Sequence, residues 1–65
     1  MENKIEKLRK EKKLSQQKLA KLCNVSRQTI NAIENDKYSP SLELAFKLSR
    51  VLSTSVDELF IYKEK

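Results

Sequence analysis

The 65-residue sequence contains no glycine, and its one proline is Pro40. Backbone with φ > 0 is where glycine is otherwise hard to replace, so a design built on Gly-rich hairpins is disfavoured. Helices packed through tight turns are favoured instead. Sharp turns between helices still need φ > 0, and Asn, then Asp, is the best non-Gly choice. Asn24 sits where the chain must turn, and Asn35 and Asp36 sit where a helix must end. A chain of this length holds one domain, residues 1–65, and buries only about 60% of its unfolded surface. Its core must be simple, and a second copy would help.

Five helices are expected, an all-α fold. The first runs from Asn3 to Lys13, with Ile5 and Leu8 as its apolar stripe. The second follows the N-cap Ser15 and reaches Cys23, with Leu19, Ala20 and Cys23 on one face. The third follows the N-cap Ser26 and reaches Asn35, with Ile30 and Ile33 turned inward. Only Asn24, Val25 and Ser26 separate these two, which suits helices meeting near a right angle. Pro40 and Ser41 open the fourth helix, which ends near Leu52. Ser55 and Glu58 match a capping box for a short fifth helix from Val56 to Phe60. The end, Ile61-Tyr62-Lys63, is β-prone. Two arrangements are open to the tail from Phe60: a small strand beside residues near Met1, or folding back over the fourth helix.

That fourth helix carries more apolar surface than one core needs. Leu42, Ala45, Phe46, Leu48 and Leu52 span about 160° of its circumference, and Leu44 and Val51 widen the arc to about 220°. Leu59, Phe60, Ile61 and Tyr62 follow as a continuous apolar run. Apolar surface beyond what a monomer covers marks association. Residues 44–63 are therefore expected to dimerise, with Leu44, Val51, Leu59, Phe60, Ile61 and Tyr62 in the interface.

The net charge of +5 lies entirely in residues 1–21, which carry eight Lys or Arg against three Glu. A basic half fits nucleic acid or an anionic membrane surface, or simply solvates helix faces. The basic residues do not lie opposite one large apolar face, which disfavours the membrane. No apolar run approaches a membrane span, no secretory segment follows Met1, and the lone Cys23 has no disulfide partner. A cytoplasmic protein is expected. Cys23 reads as a small core hydrophobe rather than a redox switch. With no His, no Gly-rich phosphate loop and no metal-ligand cluster, neither an enzyme nor a cofactor or metal site is expected.

The segment Leu14–Tyr38, LSQQKLAKLCNVSRQTINAIENDKY, is similar to the helix-turn-helix of the phage Cro and repressor-type (XRE-like) family. It most resembles that family's short stand-alone regulators. PSLELAFKLSRVL and SVDELF match the family's fourth and fifth helices, so the resemblance covers nearly the whole chain. It implies a compact five-helix, lambda-repressor-like DNA-binding domain, with the helix-turn-helix at residues 16–35 and the recognition helix at 27–35. The physical roles agree. Ala20 is small where the third helix crosses the second, Val25 plugs the turn, and Ile30 and Ile33 anchor the third helix from inside.

The outward face of that helix offers major-groove chemistry. Arg27 can donate twice to guanine and Gln28 can pair with adenine, while Thr29 and Ala32 offer methyl groups to thymine. Asn31 lies on the same face. The resemblance marks the positions of Arg27, Gln28 and Ala32 as base-contacting. Each polar residue has an alternative as a phosphate contact or a solvated surface group. Phosphate contacts are expected from Ser15, Gln16 and Lys18 at the start of the second helix, and from Asn35, Lys37, Tyr38 and Ser39 after the third. Two residues depart from the family pattern. Asp36 replaces the usual Gly, and Lys18 stands where an acidic or Gln side chain often closes a capping box. The resemblance also implies an ion pair between Arg9 and Glu34. The expected function is a sequence-specific regulator, a repressor that binds duplex DNA at a palindromic operator as a homodimer, with no membrane or small-molecule partner. The alternatives are an antitoxin-like accessory DNA-binding subunit and an interaction module that has lost DNA binding.

Overall fold

The chain runs β1 (Glu2–Asn3), α1 (Ile5–Glu11), α2 (Gln16–Leu22), α3 (Arg27–Glu34), α4 (Leu42–Val51), α5 (Val56–Leu59) and β2 (Phe60–Ile61) in a computed structural model that describes residues 1–63. Four of the five helices start in the same way. Ser15, Ser26, Ser41 and Ser55 have extended backbone, and each hydroxyl accepts from the N–H three residues on, at Lys18, Thr29, Leu44 and Glu58. Such a cap is worth about 1 kcal/mol.

The helix ends also share one solution. Lys13, Asn24, Asp36 and Ser53 have φ of 59°, 60°, 60° and 56°. Each is followed by a residue whose N–H closes on the last turn: Leu14 on Arg9 O, Val25 on Ala20 O, Lys37 on Ala32 O and Thr54 on Ser49 O. Four Schellman closures are thus made without glycine. Asn24 and Asp36 fall where such turns are expected. Asn35 does not: it is a C-cap with φ −94°, and Asp36 makes the reversal.

The core joins Ile5 of α1, Leu19 and Ala20 of α2, Ile30 and Ile33 of α3, Leu44 and Leu48 of α4 and Leu59 of α5, with Cys23 and Leu52. Cys23 is buried, and desolvation pushes its thiol pKa up against the weaker opposing charge of Lys47. Leu19, Ala20, Ile30 and Ile33 face inward as their spacing implies.

Three expectations need correction. Asn3, expected to begin the first helix, is not helical. Glu2 pairs with Ile61 and Asn3 with Phe60 in an antiparallel sheet, so α1 starts at Ile5 and α5 stops at Leu59. Lys4 N–H donates to Leu59 O at 2.9 Å, and Asn3 Oδ1 accepts from Ile5 N–H at 3.1 Å. These bonds replace the helical ones. Secondly, α4 is rotated from the arc of maximum hydrophobicity. Its buried stripe is Leu44, Ala45, Leu48 and Ser49, while Leu42 is 71% exposed and Phe46 52% exposed. Ser49 can face inward because its hydroxyl donates to Phe46 O at 2.8 Å. Thirdly, Leu44 and Leu59 are core residues of their own chain, so neither is free for a dimer interface. Of the other residues expected there, Val51, Phe60 and Ile61 are half-buried and Tyr62 is exposed.

Candidate nucleic-acid interface

The position of α3 is set at both ends by polar contacts as well as by Ile30 and Ile33. Near its C-terminus, Arg9 of α1 donates through Nε to Glu34 Oε2 at 2.7 Å and through Nη2 to Glu34 Oε1 at 3.3 Å. Its Nη1 donates to Leu14 O at 2.8 Å. Both side chains are almost wholly shielded from solvent. The Glu34 hydrogen bond raises the Arg9 pKa beyond its already high ordinary value, and outweighs the desolvation that lowers it. The expected pair is therefore formed, and it also secures the connection from α1 to α2. Asn3 adds a second tie by donating to Ile33 O at 2.8 Å, an oxygen that also accepts from Asp36 N–H at 3.1 Å.

Gln16, the first residue of α2, links this buried knot to the surface. Its Nε2 donates to Glu34 Oε1 at 2.9 Å. Its Oε1 is 3.4 Å from Arg27 Nη1 and 3.5 Å from Asn31 Nδ2, both donors. Asn35 Nδ2 donates in turn to Asn31 O at 2.9 Å. Arg27, Asn31 and Asn35, spaced by four residues, thus form one exposed row of α3 beside the start of α2. Gln28 and Ala32 form a second row, with Thr29 next to it, turned toward Lys37 and Tyr38. The structure places Arg27, Gln28, Asn31, Asn35, Lys37, Tyr38 and Ser39 at the surface. Thr29, Ala32 and Gln16 are half-buried.

Ser15 and Lys18 are exposed at the start of α2, and the Ser15 hydroxyl accepts from Lys18 N–H at 3.0 Å. The two rows of α3 thus lie between α2 on one side and the 36–39 turn on the other. Lys18, Lys21, Arg27 and Lys37 form no ion pair among the described residues. Unpaired basic side chains on one surface create a positive potential there.

Two contributions escape the sequence reading. Gln17 and Lys21 share a shallow concavity with Ser26 and Arg27. Their four-residue spacing on the polar side of α2 was the available signal. Asn3 touches the end of α3 across 30 residues of sequence, and nothing local announces such a contact.

A family model described as helix-turn-helix matches residues 5–59, which span α1 to α5. The chain belongs to the helix-turn-helix family. An uncharacterized HTH-type transcriptional regulator of Methanocaldococcus jannaschii is 47% identical over 64 residues, covering 98% of this chain and 97% of the relative. The immunity repressor protein of Bacillus phage phi105 is 40% identical over 65 residues, covering 94% of this chain but 45% of the relative. The crystal structure of the restriction-modification controller protein C.AhdI from Aeromonas hydrophila superimposes with a TM-score of 0.80 at 33% identity, covering 88% of this chain and 86% of that one. This helix-turn-helix chain is accordingly a transcriptional regulator with a DNA-binding domain, in a family of DNA-binding regulators rather than enzymes. Among the described residues no helix is long and apolar enough to cross a membrane.

Proposed function

We propose that this protein is a cytoplasmic repressor that occupies an inverted-repeat operator as a homodimer, with α3 in the major groove of each half-site. The observation that carries this reading is the exposed face of α3. Arg27, Gln28 and Asn31 are solvent-accessible on a helix whose other face is fastened by Ile30 and Ile33. The major groove is about 12 Å wide and admits a helix, and these side-chain types match guanine and adenine edges. Lys18 and Lys37 on either side suit phosphate. Blocking a promoter needs only such binding, which makes repression the simplest outcome.

Selection from random duplex DNA with the full chain tests the reading. The expected product is a palindrome with half-sites one helical turn apart. Arg27→Ala and Gln28→Ala should each relax preference at one or two base pairs, by about 1–3 kcal/mol. Affinity should fall steeply with salt, each neutralised phosphate adding about −0.9 to the slope of log K against log salt. Enrichment of no sequence, or equal losses on all sequences in both variants, would overturn base readout by α3.

A further inference from the structure

The outer surface of α3 continues beyond the helix. The chain reverses at Asp36 and brings Lys37 and Tyr38 alongside it, closing a shallow notch with Ser26, Gln28, Thr29 and Ala32. The chemistry of this notch is layered. Thr29 is turned back on its own cap: its N–H donates to Ser26 Oγ at 3.2 Å, and its hydroxyl lies 3.0 Å from the same oxygen. Thr29 and Ala32 each add a methyl group. Tyr38 adds the face or edge of a ring and is 53% exposed. The exposed polar groups around it are the Gln28 amide, the Lys37 ammonium, the Tyr38 hydroxyl and the Ser26 hydroxyl that caps α3.

We propose that this notch takes the C5-methyl of a thymine, and that Tyr38 is a specificity-determining residue that reads this methyl rather than a phosphate. The inference rests on α3 entering the major groove and adds the base class and the residue that selects it. Thymine's methyl is the apolar group that base edges display in that groove. An amino group of adenine or cytosine, or a carbonyl of guanine, set against two methyls and a ring would lose water without gaining a partner. The polar groups suit the same neighbourhood. Gln28 can pair with an adjacent adenine, and Lys37 can neutralise a nearby phosphate. Sequence position alone groups Tyr38 with its basic neighbour Lys37. The structure groups it with Thr29 and Ala32.

Deoxyuridine isolates the methyl, because it keeps every hydrogen-bonding atom of thymidine. Each thymine of the selected operator is replaced singly by deoxyuridine, and binding of the full chain is titrated. One position per half-site should bind three- to fivefold more weakly, equivalent to the ~0.8 kcal/mol of one buried methyl group. Tyr38→Ala should erase that difference. Tyr38→Phe, which keeps the ring and loses the hydroxyl, should retain both the difference and the affinity. Thermal melting of both variants reports whether the fold is kept. A specific operator with no deoxyuridine-sensitive thymine overturns the notch and leaves groove binding intact. So does a sensitivity that survives Tyr38→Ala, or a Tyr38→Phe variant weakened equally on all duplexes, the mark of a phosphate contact. If selection enriches no sequence, the placement of α3 in the groove falls and the notch falls with it.

Discussion

A guanidinium that donates to three acceptors does more than neutralise one carboxylate. Arg9 holds both oxygens of Glu34 and the carbonyl of Leu14, which fixes α3 against α1 and against the start of the next turn. Lysine keeps the charge but has neither the fork nor the reach to serve all three. Arg9→Lys is therefore expected to lower unfolding free energy by about 1–3 kcal/mol, the worth of hydrogen bonds to charged groups left partly unmade. Arg9→Ala should cost more, about 3–5 kcal/mol, because it strands a buried carboxylate. Urea denaturation followed by circular dichroism measures both, and a loss within about 0.5 kcal/mol for either would show that the pair does not hold the fold. The pairing of Arg9 with Glu34 was legible from the family resemblance. The part played by Gln16 was not. An exposed-looking glutamine at a helix start has no sequence signature that distinguishes a phosphate contact from a bridge to Glu34, Arg27 and Asn31. Its second amide hydrogen is the one that remains for a phosphate.

At the scale of elements, the ends of the helices are where this glycine-free chain is least at ease. A left-handed residue other than Gly, Asn or Asp carries a steric cost of about 1–2 kcal/mol. Lys13 and Ser53 bear that cost, whereas Asn24 and Asp36 are better suited to it. Gly at either site relieves the strain and gives back part of the gain as unfolded-state entropy, about 0.4–1 kcal/mol. Lys13→Gly and Ser53→Gly are each expected to stabilise by about 0.5–1 kcal/mol, raising the melting temperature by about 2–8 °C. Asn24→Gly should change it little. Calorimetry decides the matter, and unchanged or lower melting temperatures for both Gly variants would mean that the turns are not strained. The helix starts were legible because each is a serine cap whose mechanism is local. The inward face of α3 was legible for a similar reason, since Ile30 and Ile33 lie on one side of a short polar helix. The rotation of α4 was not, because six of its ten residues are apolar and compete for the interior, and the choice is made by packing. Ser49 wins an inward position that hydrophobicity alone assigns to Phe46. The sheet was legible as one of two arrangements of a β-prone tail, the strand beside residues near Met1; the choice was not, because the pairing with Glu2 and Asn3 is made across the whole length of the chain.

At the scale of the molecule, the apolar surface left over overlaps the expected interface only in part. Leu44 and Leu59 are spent on the core, whereas Leu42, Phe46, Met1 and Tyr62 remain exposed at 71%, 52%, 47% and 76%. Leu42 and Phe46 are one turn apart on α4. Met1 and Leu42 line the same apolar depression with Pro40, Val56 and Phe60. Exposed apolar patches of this kind mark association. A second copy, the partner in the proposed function, would also answer the geometry of DNA. A two-fold axis through this end would present two α3 helices to one face of the duplex, where successive major grooves recur every ~34 Å. The chain itself measures 34 × 21 × 19 Å, so two copies side by side span that repeat without an added linker. The expected outcome is a dimer by sedimentation at micromolar concentration, with a melting temperature that rises with protein concentration. Leu42→Glu combined with Phe46→Glu places four like charges in a two-fold interface. It should weaken dimerisation on the order of 100-fold or more, while the monomer keeps its helicity because both side chains lie outside the core. Binding to the palindrome should then fall to that of an isolated half-site. A wild-type chain that sediments as a monomer and binds half-site and palindrome equally would refute the dimer. A dimer undisturbed by both glutamates would instead put the two-fold axis elsewhere on the surface, with the half-exposed Ile61 and the exposed Tyr62 as the next pair to charge.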